Sequence, residues 1–201
     1  QFYYFFAVQQ WAFDEPPVFS VPSGNFGNIC AGLMAWTAGL PVKQFIAACN
    51  ANDVVYQFME TGNYHPKQAV PTISNAMDVG DPSNFVRIQQ IYDNDLGRIR
   101  KNLSSFSFSD DQTRNAINYV YEQTGYILDP HGAVGYLGLE SYRKTRPDTR
   151  GIFLETAHPV KFLEVIEPVI QQKIDYPPQI QEVINKTKKS LVISDYNELR
   201  E

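Results

Sequence analysis

A chain of 201 residues, 43% apolar and 13% aromatic, is large enough to bury one full hydrophobic core. Its formal net charge of -5, with lysine and arginine scattered, excludes a general attraction for nucleic acid. No apolar run is long enough to cross a bilayer as a helix and no signal peptide is visible, so neither a membrane nor an export route is expected.

The chain opens with Gln1 and passes straight into Phe2-Tyr3-Tyr4-Phe5-Phe6-Ala7-Val8. Natural starts are usually polar and frayed, so this reads as the interior of a larger protein. Residues 2–13 are apolar nearly all round, which predicts a buried helix ended by Asp14 to Pro17. Val18 to Pro22 reads as a short strand. The turn Ser23-Gly24-Asn25-Phe26-Gly27-Asn28 follows, then a helix from Ile29 to Ala38 that Gly39 stops. Val42 to Ala48 reads as a second strand, and Asn52 or Asp53 is the expected cap of the next helix. Strand, glycine turn, helix and strand make a βαβ unit. The class is therefore α/β, a parallel sheet with flanking helices.

Thr61 to Pro82 is rich in loop residues and long for a plain connection, a sign of function or of packing against another domain. Ser83 to Leu103 is expected to be mostly helical. Asp110-Asp111 opens a helix to Gln123, with Gly125 behind it. Asp129-Pro130 opens another, with aspartate as cap and proline in the first turn. Gly151 to Thr156 reads as a third strand, and Ala157-His158-Pro159 leads into a helix from Val160 to Gln171. The expected division is residues 1–171 as part of one α/β domain and residues 172–201 as a C-terminal helical or irregular tail. The Lys186-Lys188-Lys189 cluster in that tail reads as a solvated helix end.

Gly24-Asn25-Phe26-Gly27-Asn28 is the motif with chemical content. Two glycines between a strand and a helix let the backbone curl and point successive N–H groups into one concavity. The helix behind them adds its free donors and the positive end of its dipole. A phosphate monoester is the ligand this suits. The pattern lacks the lysine of a P-loop and the spacing of a dinucleotide fingerprint. Glycine spacing alone leaves open a tight βα turn that binds nothing.

Val21-Pro22-Ser23-Gly24-Asn25-Phe26-Gly27-Asn28 resembles the phosphate loop of threonine synthases, in their shorter, yeast- and enterobacterial-like branch. Further stretches match in the family's order: Gly39-Leu40-Pro41-Val42-Lys43 with Ala47-Ala48 and Asn52-Asp53, Ser74-Asn75-Ala76-Met77-Asp78-Val79, Asp129-Pro130-His131 with Ala133-Val134, and Thr156-Ala157-His158-Pro159 with Lys161-Phe162. The resemblance spans most of residues 1–171 and implies the C-terminal portion of a type II pyridoxal-phosphate enzyme.

The family converts O-phospho-L-homoserine and water into L-threonine and phosphate in threonine biosynthesis, using pyridoxal 5'-phosphate. Carried over, Gly24, Asn25, Phe26, Gly27 and Asn28 would cradle the cofactor phosphate. Many members have aspartate at position 28; asparagine keeps a short polar side chain and removes a charge. Thr156 would hydrogen-bond the pyridine nitrogen, where a hydroxyl gives a weaker electron sink than a carboxylate.

The family's Schiff-base lysine and substrate-carboxylate loop lie in its N-terminal part, and no lysine here has the expected context. Lys161 matches a family lysine with another role, and Lys144, Lys173 and Lys186 read as surface residues. The resemblance thus implies no catalytic residue in this chain, inactivity of the chain alone, and an N-terminal part as its partner. Another type II pyridoxal enzyme performing β-elimination or β-replacement, or a non-catalytic phosphate-binding module, stay open as alternatives.

Cys30 and Cys49 sit in apolar contexts and read as buried thiols in a reducing compartment, which fits a cytoplasmic enzyme. His65, His131 and His158 lack metal spacing. His131 and His158 stand at expected helix starts, where a ring nitrogen can bond the backbone. Asn75 and Asp78 acquire no role from their chemistry.

Overall fold

The computed structural model describes residues 1–200. Four parallel strands form one sheet in the order β3-β2-β1-β4: β1 (Val18–Pro22), β2 (Gln44–Cys49), β3 (Leu103–Ser107) and β4 (Gly151–Phe153). The register pairs Val18 with Gln44 and with Gly151, so β1 is central and flanked on both sides.

Alternation sorts the two sheet faces. Phe19, Val21, Phe45, Ala47 and Cys49 join one core with residues of α1 (Phe2–Gln9), α2 (Gly27–Thr37), α3 (Val54–Thr61), α4 (Phe85–Ile91) and α5 (Leu96–Asn102). Val18, Ile46 and Ala48 face α7 (Pro130–Arg143), beyond which lie α6 (Asp110–Thr124) and α8 (Leu163–Ile170). With helices on both faces, β1 and β2 are buried along their whole length, which explains why they are mostly apolar, with Ser20 and Gln44 the polar exceptions.

Helix α7 lies unusually close to the sheet. A Cβ added at Gly138 would stand 2.6 Å from Ser20 Oγ and 2.8 Å from Ala48 Cβ. Ser20 Oγ donates to the Gly135 carbonyl at 2.6 Å, so this buried hydroxyl is satisfied by the helix it touches.

The structure departs from the sequence-based expectations at several places. The first helix ends at Gln9, and only Tyr4 is buried on it; Phe2, Tyr3 and Phe6 are exposed. An all-apolar stretch has no periodicity to reveal which side meets the core. Tyr4 is chosen because its ring packs edge-on against Phe19 and Phe45, with centroids at 5.1 and 6.0 Å.

Asp53 occupies the N-cap of α3 without bonding its backbone; its carboxylate takes Lys67 and Gln57 instead. The stretch 83–103 splits into α4 and α5 at Asp93-Asn94, both left-handed. Strand β3 was not expected at all, because Leu-Ser-Ser-Phe-Ser carries little apolar signal. Its serines bond the sheet instead: Ser105 Oγ donates to the Ala47 carbonyl at 3.0 Å and Ser107 Oγ to that of Asn50 at 2.8 Å.

Strand β4 stops at Phe153, short of Thr156, since only three pairs with β1 form. After it, Pro159–Phe162 makes a 3-10 turn before α8. Within the tail, α9 (Pro178–Gln181) is a single turn.

Other expectations hold. Helix α6 ends on left-handed Gly125, and Asp129 caps α7 with Pro130 in the first turn. Helix α6 carries in addition a Ser109–Gln112 capping box that the Asp110-Asp111 reading overlooked.

Candidate functional site

Because all four strands run the same way, the segments following β1, β2 and β4 emerge together at one edge of the sheet. In open parallel α/β sheets this carboxyl edge is where ligands bind. The glycine loop follows β1, and Glu155-Thr156 follows β4, its immediate neighbour. The structure therefore brings the loop and Thr156 to the same edge.

The loop is held by its side chains and offers its backbone. Asn25 Oδ1 accepts from the Ser83 N–H at 2.7 Å and from Ser83 Oγ at 3.0 Å, while its carbonyl accepts from Asn84 Nδ2 at 3.0 Å. Phe26 is left-handed at φ 60°. That conformation costs about 1–2 kcal/mol for a residue with a side chain, and the buried Phe26 ring holds it by packing edge-on against Phe85, centroids 5.7 Å apart.

Asn28 Oδ1 and its carbonyl both accept from the Tyr4 hydroxyl, at 3.0 and 3.1 Å. No acceptor among the described residues takes the N–H groups of Phe26, Gly27, Asn28 or Ile29, and α2 has no side-chain cap. Gly27 is exposed beside them. The result is a row of four unpaired donors at the positive end of an 11-residue helix, those of Gly27 and Asn28 on exposed residues and those of Phe26 and Ile29 on buried ones.

A polar hub behind the loop fixes its back wall. Asp78 Oδ1 accepts from Asn50 Nδ2 at 2.9 Å, Asn52 Nδ2 at 3.0 Å and Thr72 Oγ1 at 2.6 Å; Asp78 Oδ2 accepts from the Thr72 N–H at 2.9 Å. Asn50 and Asn52, at the end of β2, are nearly fully buried. The hub folds the long Thr61–Pro82 connection back over the sheet edge and presses Met77 onto Gly24. A Cβ at Gly24 would stand 3.0 Å from the Met77 carbonyl carbon and oxygen, and closer still to its Cα.

Sequence reasoning marked the length of that connection and named Asp78, but it read Asn52 as a possible helix cap, and Asn50 and Thr72 gave no signal. Asn75 is exposed and outside the hub.

Residues 3–154 match the family model described as pyridoxal-phosphate dependent enzyme. The chain belongs to this family. A second model, threonine synthase, C-terminal, matches residues 132–201. The threonine synthase of Haemophilus influenzae is 40% identical over 195 residues, 96% of this chain and 44% of that protein. The crystal structure of threonine synthase from Escherichia coli superposes with a TM-score of 0.84 at 39% identity, over 91% of this chain and 42% of that one. The pyridoxal-phosphate-bound threonine synthase of Brucella melitensis gives a TM-score of 0.85 at 29% identity, over 95% and 46%. The chain thus spans less than half the length of these three threonine synthases.

Pyridoxal 5'-phosphate is the family's cofactor, and this chain's free donors fit its phosphate. Every lysine of the chain is exposed, and three are paired: Lys43 with Glu15, Lys67 with Asp53 and Lys173 with Glu167. None stands in the dry setting a Schiff-base lysine needs. His158 Nδ1 accepts from the Val160 N–H at 3.1 Å and so caps the turn after Thr156. Both cysteines are buried, and burial raises their thiols, Cys49 to about 12. No helix among the described residues is long and apolar enough to cross a membrane.

Proposed function

We propose that this chain is the cofactor-phosphate portion of a threonine synthase, which converts O-phospho-L-homoserine and water into L-threonine and phosphate. The observation that carries the reading is the row of four unpaired N–H groups between Gly24 and Ile29, one strand away from Thr156. When bound, pyridoxal phosphate supplies an electron sink that stabilises carbanions at the substrate carbons.

The residues of this chain bind and orient. The N–H groups of Phe26, Gly27 and Asn28, with the α2 dipole, hold the phosphate, which suits a dianion better than any single lysine would. The side chains of Asn25, Phe26 and Asn28 hold the loop. Thr156 is exposed and its hydroxyl has no partner among the described residues, so it is free to donate to an unprotonated ring nitrogen.

On this reading the Schiff-base lysine and the grip on the substrate carboxylate come from sequence outside these 201 residues. The chain alone is then inactive, and its natural partner is that N-terminal part.

The test uses the product of the natural gene with pyridoxal phosphate and O-phospho-L-homoserine, following threonine and inorganic phosphate together. Equal release of both is expected. Phosphate without threonine would transfer the chain to another pyridoxal lyase. Neither product would leave a phosphate-binding module.

A further inference from the structure

Where α7 meets the end of β4, two carboxyl groups and an imidazole are packed together. Asp129 caps α7, accepting from the N–H of His131 at 2.8 Å and of Gly132 at 3.4 Å. Its Oδ1 also lies 2.7 Å from His131 Nδ1, which must be the donor because a carboxylate only accepts. Asp129 is fully buried, and His131 is 3% exposed beneath the Phe162 ring, centroids 5.1 Å apart.

Glu155 enters from the β4 side. A Cβ built on Gly132 would clash with the carbon and both oxygens of the Glu155 carboxyl group, so that group lies flat on the first turn of α7. Its Oε1 is buried without a partner, and so is His131 Nε2.

The remaining titratable group facing the carboxyls is Tyr126, whose hydroxyl is raised by burial and then by the charges of Glu155 and Asp129. No lysine or arginine faces either carboxyl among the described residues. Two such groups side by side cannot both ionise readily. Burial pushes Glu155 up to about 9, with the hydrogen bond to Asp129 and its charge adding to the rise. Burial opposes ionisation of Asp129 too, but the bonds from His131 and Glu155 outweigh it and hold Asp129 below the usual range. The proton therefore sits on Glu155, whose orphaned oxygen faces a neighbouring carboxylate able to accept it.

Resting on the cofactor reading above, we propose that Asp129, His131 and Glu155 are positioning residues: one shared proton clamps the segment after β4 to the start of α7 and so sets where the Thr156 hydroxyl stands. The segment has little else to hold it. The Leu154 N–H donates to the Ser20 carbonyl at 3.0 Å, and the N–H groups of residues 155–157 then find no backbone acceptor among the described residues. The Glu155 carboxyl is the anchor nearest Thr156, one residue away.

Glu155 keeps its proton in the folded chain to about pH 9 and loses it near 4.5 when unfolded. The clamp's contribution to stability is complete below the unfolded value and is lost as pH rises toward the folded one.

The experiment compares the natural gene product with its Glu155→Gln variant, which keeps the shape and an N–H donor but cannot ionise. Two readouts are taken from about pH 6 to about pH 10: unfolding midpoints of the cofactor-free protein, and the visible absorption of bound pyridoxal phosphate. The wild-type midpoint is expected to fall as pH rises, and the variant's to be flatter. The pH midpoint of the absorption is expected to differ between the two by about one unit or more. Asp129→Asn, which removes the facing charge, should flatten the stability profile as well and stands in if Glu155→Gln does not fold.

Equal slopes in the cofactor-free proteins would overturn the shared proton. Different slopes with identical absorption profiles would reduce the cluster to a helix cap. Absence of any cofactor band in the wild type would defeat the cofactor reading and the positioning role with it, while the cofactor-free titration still decides the shared proton.

Discussion

Gly24→Ala should damage the loop far more than Gly27→Ala, although the same methyl group is added three residues apart. At Gly24 the new Cβ would be 3.0 Å from the Met77 carbonyl atoms and nearer still to its Cα. Backbone cannot rotate away as a side chain can. Met77 is also held from behind: its N–H bonds the Ser74 carbonyl at 2.9 Å, and Asp78, next in the chain, carries the four bonds of the hub. Overpacking of this kind costs about 1–3 kcal/mol, or roughly 5- to 150-fold in the folding equilibrium. At Gly27 the nearest atom is the Asn84 side-chain amide nitrogen at 3.4 Å, an ordinary contact, so the change should stay within about 0.5 kcal/mol. Urea unfolding of the natural gene product, followed by fluorescence of Trp36, which stacks on Tyr92, gives both values. If Gly24→Ala proves no more destabilising than Gly27→Ala, the tight packing of Met77 on the loop is refuted.

Gly27→Asp places a negative side chain beside the free donors and should weaken pyridoxal-phosphate binding at least about tenfold, as read by cofactor titration, with unfolding little changed. Asp78→Ala strips acceptors from Asn50, Asn52 and Thr72 and should cost about 2–5 kcal/mol in urea unfolding; a change under about 0.5 kcal/mol would mean that water replaces the carboxylate. Cys49, raised to about 12 by burial, and Cys30 should resist a thiol reagent at neutral pH until the protein is denatured. Fast labelling of the native protein would show that the sheet opens at Cys49 or that α2 lifts at Cys30.

The parts of the fold written in local chemistry were legible. Pro22-Ser23-Gly24 ending a strand, Gly125 closing α6 and Asp129-Pro130 opening α7 each depend on one residue's conformational or capping preference, and each is where it was expected. Strand β3 was not legible, because its serines are chosen for bonds to Ala47 and Asn50, residues more than fifty positions away. The same holds at the site. The glycines announced an anion loop, and the family resemblance set Asn25 and Asn28 in its cradle without showing what their side chains do. Only the placement of Ser83 and Tyr4 beside them shows their side chains acting as struts. The Asp129–Glu155 pair was invisible for a similar reason: one member caps a helix, the other reads as an ordinary residue of the expected third strand.

The sheet order distributes rigidity unequally around the site. Strand β1 lies inside the sheet and is buried from Val18 to Pro22, so opening its end requires disturbing β2 and β4 as well. Strand β4 is a three-residue edge, half-buried throughout and bonded on one side. Amide hydrogen exchange should therefore be slow through Phe19–Val21 and fast from Ile152 onward. On the proposed reading, the phosphate meets a grip that is already formed, while the ring nitrogen meets a hydroxyl at the softest margin of the sheet. Filling the site would stiffen the Thr156 side and leave the loop side almost as it was.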